Sequence, residues 1–96
     1  MLRIADFAPL LNQTFHIPLP DETLQFVLTE VSDLGYGTDG DNTRRAFSLL
    51  FRHARRDAYL PQGTYLLRHA DLGDLHLFLV PLGPRADGTY YESIFT

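Results

Sequence analysis

The chain has 96 residues, of which 45% are apolar and 21% are charged, with a formal net charge of −4 and no cysteine. This composition is typical of one folded domain, here residues 1–96. It excludes an intrinsically disordered chain, which would have low hydrophobicity and high net charge. The negative net charge argues against nucleic-acid binding, which depends on cations that neutralise phosphates. The lack of cysteine excludes disulfide bonds, thiolate metal sites and cysteine nucleophiles.

No stretch of the sequence approaches the ~20 apolar residues that a membrane-spanning helix needs. The opening residues, Met-Leu-Arg-Ile-Ala-Asp-Phe, contain no apolar run of signal-peptide length. We therefore expect a cytoplasmic protein without a membrane partner.

The N-terminal region predicts a short helix followed by a strand. Residues 4–13 place four apolar side chains on one side of a helix, which Pro9 keeps short: Ile4, Phe7, Leu10 and Leu11. We expect this helix to cover an open end or face of a sheet. Residues 14–19 then alternate as a short strand that ends in a Pro-Leu-Pro-Asp turn.

Two further strands are predicted on either side of a glycine-rich loop. Residues 23–34 alternate apolar and polar side chains, and the phase changes at Glu30-Val31, where a β-bulge is predicted. Residues 35–42 are dense in glycine, aspartate and asparagine, as a loop requires. Residues 45–52 alternate again and predict a central strand.

A tight antiparallel hairpin is the clearest structural signal. Two β-rich segments, 64–69 and 74–82, flank an Ala-Asp-Leu-Gly turn at residues 70–73. The second segment is apolar on both faces, so we expect both to be partly covered: Leu75, Leu77 and Leu79 on one, and His76, Phe78 and Val80 on the other. Prolines at positions 81 and 84 are predicted to end this strand, and an Asp-Gly turn follows at residues 87–88. Residues 89–96 then predict a last strand.

These elements predict a mainly β protein of about six strands with one short N-terminal helix. Two architectures fit the short, evenly spaced strands: a small antiparallel barrel and a compact sandwich. In either architecture the reactive side chains are expected on the outside.

Three phrases carry a resemblance to a known family: Phe-Ser-Leu-Leu-Phe at 47–51, Leu-Pro-Gln-Gly-Thr-Tyr at 60–65, and Leu-Gly-Asp-Leu-His-Leu-Phe-Leu-Val-Pro-Leu-Gly-Pro at 72–84. With segments 7–15 and 87–95, the sequence resembles a family of small bacterial proteins that have no assigned function. Members are often encoded near phage-tail-like collar or fibre genes, which implies an association with a tail-type assembly. The resemblance implies no catalytic residue.

Two groups of potential metal ligands are present, and neither predicts a site. Zinc needs three or four converging ligands, but no HxH or HExxH spacing links His16, His53, His69 and His76. The last two lie on the arms of the predicted hairpin and could face each other or Asp74. Asp33, Asp39, Asp41 and Asn42 offer oxygen ligands for calcium, but the glutamate that closes a calcium-binding loop is missing from this segment. We therefore expect a solvated turn there. We expect no cofactor.

The sequence evidence for a catalytic site is equally weak. Ser48 could join a histidine and an aspartate in a hydrolase, but it lies within a strand pattern and lacks the Gly-x-Ser-x-Gly turn. Glu30 and Glu92 could act as an acid and a base only if the fold brought them together and desolvated them. We predict no catalytic residue and lean against an enzyme.

A local excess of positive charge is the candidate protein-binding surface. Its residues are Arg52, Arg55, Arg56 and Tyr59, which we expect to be joined by Tyr36 or Tyr90. Arginine and tyrosine are enriched in the residues that dominate binding energy at interfaces. The competing interpretation is a solvated connection, because short charge runs usually face water.

Together these patterns favour a non-enzymatic structural or protein-interaction module, an accessory of a phage-tail-like assembly in the setting that the resemblance implies. Its partner would be another protein, or a second copy paired through an edge strand, for which the last strand is the candidate. The alternative is a small ligand-binding or hydrolytic β-barrel with a histidine-containing apolar pocket.

Overall fold

The computed structural model of the protein describes residues 2–37, 45–56 and 60–96. These residues form helix α1 (Ile4–Phe7), a 3₁₀ turn (Ala8–Leu10) and six strands. The strands are β1 (Thr14–Pro18), β2 (Thr23–Gly37), β3 (Arg45–His53), β4 (Gly63–His69), β5 (Gly73–Arg85) and β6 (Gly88–Phe95). The predicted mainly β fold with one short N-terminal helix is confirmed.

The six strands form one antiparallel sheet that closes into a ring in the order β1-β2-β3-β6-β5-β4. The ring is closed by β1 and β4, which share the single residue pair His16–Arg68. The last strand, β6, pairs with β3 on one side and with β5 on the other. Along residues 89–92 both edges of the last strand are already paired, so this part of it offers no free edge to a second copy.

The interior of the ring is filled by aromatic and leucine side chains. Phe51 is fully buried on β3 and packs against Phe15 and Phe26, with ring centroids 5.3 Å and 6.5 Å away. Tyr91 on β6 lies 5.0 Å from the Phe26 ring. Full burial of one such side chain contributes about 1.5–3 kcal/mol, so this core is the main source of stability.

The N-terminal segment closes one end of the ring, as predicted. Phe7 is fully buried, 5.8 Å from the Phe47 ring and 5.7 Å from the Phe95 ring. The helix is shorter than the predicted 4–13, because Pro9 falls in the turn that follows it. The segment is then tied to β2 by the Asn12 N–H, which donates to the Leu28 carbonyl over 2.7 Å. Neither helical turn in the described residues is long or apolar enough to cross a membrane.

Strand β2 is longer than predicted. It continues through Leu34 to Gly37, which pairs with Arg45, so residues 35–37 belong to the sheet and not to a loop. The predicted bulge is present one residue earlier, because the register with β3 shifts between Leu28 and Glu30. The remainder of the predicted loop, 38–42, lies outside the described residues.

Strand β5 also differs from its prediction at its end and on its outer face. It runs through Pro81 to Arg85, because beyond Leu79 only β6 pairs with it and proline is tolerated on such an edge. Its inner face is buried as expected. On its outer face Val80 is half-buried and 47% of Phe78 is exposed, so that face is only partly covered.

Candidate functional site

Four arginines and a tyrosine lie at the end of the ring opposite α1, where β3 ends and the β5–β6 hairpin turns. We call them the Arg–Tyr cluster: Arg52, Arg55, Arg56, Arg85 and Tyr90. Arg52 and Tyr90 are directly opposed on β3 and β6. Arg85 pairs with Gly88 at the hairpin turn, one residue pair beyond Thr89.

Tyr90 is held at the centre of the cluster by contacts on both sides of the hairpin. Its hydroxyl donates to Asp87 Oδ2 over 2.8 Å, and the Arg85 guanidinium lies 4.3 Å from its ring centroid, in cation–π geometry. Arg52 donates from Nη1 to the Asp87 carbonyl over 3.2 Å. The two guanidinium groups and the ring are thus oriented by contacts with the turn.

The segment that carries Arg55 and Arg56 is fixed to the same hairpin. The buried Thr89 hydroxyl donates a bifurcated hydrogen bond to two backbone carbonyls, that of Arg55 at 2.9 Å and that of Arg56 at 3.3 Å. The Arg55 side chain forms an ion pair with Glu22 over 3.0 Å and donates from Nε to His53 Nε2 over 3.4 Å.

The charge balance of the cluster leaves several arginines without an acidic partner. Of the described residues, Arg55 alone in the cluster forms an ion pair, and Arg52, Arg56 and Arg85 have no carboxylate within salt-bridge distance. The Asp87 carboxylate at the hairpin turn is engaged by the Tyr90 hydroxyl. Unpaired guanidinium groups with fixed geometry suit carboxylate ligands.

The environment of Tyr90 raises the pKa of its phenol above the ordinary value of 10.0. The main cause is the hydrogen bond to Asp87, followed by burial and by the negative charge of Asp87; the positive charges of Arg52 and Arg85 act in the opposite direction. Because the folded pKa is raised, the contribution of this hydrogen bond to stability is fully present below pH 10.0 and is lost as the pH rises through the folded value.

This geometry predicts the effect of Asp87→Asn on tyrosine titration. Removing the carboxylate removes the group that opposes ionisation, so the pKa of Tyr90 should fall. Phenolate absorbance, with Tyr90→Phe to identify the Tyr90 signal among the five tyrosines, measures the shift. Asp71→Asn is the matched control, because Asp71 lies in the β4–β5 turn at the other end of β5; an equal shift in that variant would contradict the assignment.

The structure brings some of the predicted binding residues together and separates others. Arg52, Arg55, Arg56 and Tyr90 share one end of the ring. Tyr36 does not join them, because its neighbour Gly37 pairs with Arg45, seven positions before Arg52 on β3 and roughly 23 Å away. Tyr59 lies outside the described residues.

Sequence reasoning missed Arg85, which the structure adds to the cluster. The Asp87-Gly88 turn signal was enough to place Arg85 beside that turn, but the register of β3 against β6 was needed to bring the turn next to Arg52. That register has no local sequence signature, so neither segment alone could predict that Arg52 and Arg85 lie close together.

The histidines of the predicted hairpin point to opposite faces. His69 is buried; its Nδ1 accepts from the Asp71 N–H over 3.0 Å and its Nε2 lies 2.7 Å from Gln13 Oε1. Because Nδ1 is an acceptor, Nε2 must carry the proton and donate to Gln13. His76 is exposed on the outer face opposite Leu66. The expectation that the two could face each other is therefore wrong.

The other candidate ligands are also engaged or dispersed. His53 is buried, stacked on Phe26, with Nδ1 3.0 Å from the Gln25 carbonyl. Asp74, which could have faced a histidine, instead binds Arg68 over 3.2 Å. Within the described ranges, no three histidine, cysteine or acidic side chains gather as a metal site requires.

The acidic and serine candidates occupy strand positions with ordinary partners. Asp33 accepts from Arg45 Nε over 2.8 Å and from the Gly35 N–H over 2.7 Å, and these hydrogen bonds lower the pKa of its carboxyl. The other candidate calcium ligands, residues 39, 41 and 42, lie outside the described residues. Glu30 and Glu92 flank Leu50 on the outer wall, and Ser48 lies opposite Ser32 on the same wall.

A closed six-stranded ring with a preformed Arg–Tyr cluster at one end defines a small all-β domain. The chain belongs to the family described as Domain of unknown function (DUF6916), whose model matches residues 2–95. No curated protein and no solved structure matches the chain. The family agrees with the resemblance to a group without an assigned function.

Proposed function

We propose that the protein is a non-enzymatic interaction module that binds a carboxylate-rich surface of another protein through its Arg–Tyr cluster. The observation that carries the proposal is that Arg52 and Arg85 lie around one oriented tyrosine ring without an ion-pair partner among the described residues. An acidic partner would supply the missing carboxylates, and each arginine could bind one through two parallel hydrogen bonds.

A protein partner is favoured over a nucleic acid by the charge of the surroundings. The chain carries a net charge of −4, and Glu22 and Asp87 lie within the cluster itself. A phosphate backbone would be repelled by these groups along most of its length, whereas a protein surface can place its carboxylates between them. Tyrosine and arginine together are typical of the centre of a protein interface.

The alternative function, a small ligand-binding or hydrolytic barrel with a histidine-containing pocket, is less well supported. The inward positions of the ring hold packed phenylalanine and leucine side chains. The two buried histidines, His53 and His69, are bound to Gln25 and Gln13 in ways that serve the fold. The cytoplasmic location and the phage-tail-like assembly remain expectations of the proposal.

The test is binding by the double variant Arg52→Ala/Arg85→Ala. Native mass spectrometry with the products of neighbouring genes would identify a partner, and fluorescence anisotropy with a glutamate-rich peptide supplies a defined probe. We expect the wild-type protein to bind, with an affinity that falls as salt is added, and the double variant to bind at least about tenfold more weakly.

Arg3→Ala is the matched control, because Arg3 is an exposed arginine at the opposite end of the ring. It should leave both measurements unchanged. Equal losses in the control and the cluster variant, or a wild-type protein that binds neither probe nor partner, would count against the proposed function.

A further inference from the structure

The wall of the ring contains a seam along which the neighbouring strands β5 and β6 are not paired. Their pairing ends at Val80–Glu92. Beyond that row, among the residues that the structure describes, β5 pairs only with β4 and β6 pairs only with β3. We call the facing edges of residues 73–79 and 93–95 the β5–β6 seam.

Backbone hydrogen-bonding groups point into the β5–β6 seam from both sides. Pro81 has no N–H, so it cannot belong to a pair that exchanges two hydrogen bonds. Such pairs alternate with pairs that exchange none, so the preceding pair, Val80–Glu92, exchanges both. Two residues further along each strand, the N–H and carbonyl groups of Phe78 and Ile94 point the same way. On that side the described part of the chain offers them no ladder partner.

Apolar side chains flank the β5–β6 seam on both faces of the wall. On the outer face, Phe78 is 47% and Ile94 is 53% exposed, and both lie two residues beyond the last β5–β6 pair. On the inner face, Leu77 is buried and Phe95 is half-buried. Free backbone groups on a strand edge bind a further strand through main-chain hydrogen bonds, and the flanking side chains select its sequence.

We propose that the β5–β6 seam accepts an extended segment of a partner protein as an additional strand. Both sides of the seam are strands of the ring, so the entering strand must have two free edges. This requirement excludes the edge of a folded sheet, including one from a second copy, and selects a segment that is unpaired before it binds. Strands β5 and β6 can separate by one strand spacing, about 4.8 Å, without breaking a paired row.

The seam also defines the chemistry of the segment. Pairing antiparallel to β5 is favoured, because antiparallel pairs are the more stable. The segment residue opposite Phe78 then points outward beside Ile94, and its neighbours point inward beside Leu77, so the segment is apolar on both faces. It begins with a basic residue, because Glu92 lies at the closed end of the seam and has no ion pair among the described residues.

A peptide of this pattern, acetyl-Lys-Val-Ile-Val-Thr-Val-Lys-amide, is the probe for the full-length chain. Fluorescence anisotropy should show saturable binding, and amide hydrogen exchange at Phe78 and Ile94 should slow at least about tenfold in the complex. The amides of Leu77 and Ser93 are internal controls whose rates should not change, because they point to β4 and β3. The same peptide N-methylated at its Ile and Thr cannot donate to β5 and should bind at least about tenfold more weakly.

The pair His76→Pro and His76→Ala isolates the backbone of β5. The His76 N–H points into the seam like that of Phe78, so proline removes a seam donor but no hydrogen bond to β4, whereas alanine retains the donor. His76→Pro should bind the peptide at least about tenfold more weakly than His76→Ala. Ile94→Pro and Ile94→Ala form the second pair if His76→Pro does not fold by circular dichroism.

Three results would each overturn the proposal: no binding at millimolar peptide, equal binding of the N-methylated peptide, or equal affinities within the proline and alanine pair. Arg52→Ala/Arg85→Ala should bind this peptide like the wild-type protein, because neither arginine lies on the seam. Loss of the glutamate-rich probe in that variant therefore tests the function proposed for the Arg–Tyr cluster separately.

Discussion

Replacement of Gly88 by alanine is expected to destabilise the protein by about 3 kcal/mol. Gly88 has φ +144°, a backbone conformation that residues with a Cβ rarely adopt. An added Cβ would also fall onto the carbonyl oxygen of His53, with the His53 carbonyl carbon at 3.1 Å and Arg52 Cγ at 3.2 Å. The obstruction is backbone of β3, so relief requires β3 and the β5–β6 hairpin to separate.

Gly73→Ala is the control that isolates the contact from the backbone conformation. Gly73 has φ +75° and nothing within 4 Å of the added Cβ, so its variant should lose only about 1 kcal/mol. Urea unfolding followed by circular dichroism measures both free energies of unfolding. Similar losses in the two variants would show that the approach of the hairpin to His53 has no energetic consequence.

Gly88→Ala should also weaken partner binding, because Arg85 and Tyr90 are positioned by the same hairpin.

Removal of the Phe7 side chain is expected to cost about 3–5 kcal/mol. Phe7 is fully buried and packs against both the Phe47 and Phe95 rings, which stack on each other with centroids 4.5 Å apart. Phe7→Ala would leave a cavity beneath the N-terminal turn that these two rings cannot fill. For a domain whose total stability is about 5–15 kcal/mol, this loss would leave a substantial fraction unfolded on mild heating.

The matched substitution for Phe7→Ala is Leu11→Ala, on the same segment but 44% exposed, for which we expect less than about 1 kcal/mol. Phe7→Leu should recover most of the lost stability, because it refills much of the cavity. Thermal unfolding and urea unfolding measure all three variants. If Phe7→Ala unfolds at the wild-type midpoint, the N-terminal segment does not close the ring.

The fold was largely predictable, because alternation along a strand is a local property. Phe47, Leu49 and Phe51 on one side of β3 identified that strand and its buried face, and the Ala-Asp-Leu-Gly turn identified the β4–β5 hairpin. Errors arose where the outcome depended on a neighbour. Pro81 suggested the end of β5, but it is accommodated because β4 no longer pairs with that part of the strand.

The candidate site was predictable only in part, for the same reason. The run at residues 52–56 identified three of the cluster's arginines, but Arg85 joins them only through the pairing of β6 with both β3 and β5. Tyr36 and Tyr90 were equivalent choices in the sequence, and the antiparallel register placed them at opposite ends of β3. Non-local pairing decides which side chains become neighbours.

The closure between β1 and β4 has a mechanical consequence. A single residue pair joins these strands, while Ile17 and Leu67 on either side of the join are buried to 1% and 0% exposure. The circumference of the ring is therefore set at that point by the volume of interior side chains and not by a hydrogen-bonded ladder. Small changes in core volume can be absorbed there by a slight widening or narrowing, while the other five strand pairings keep their registers.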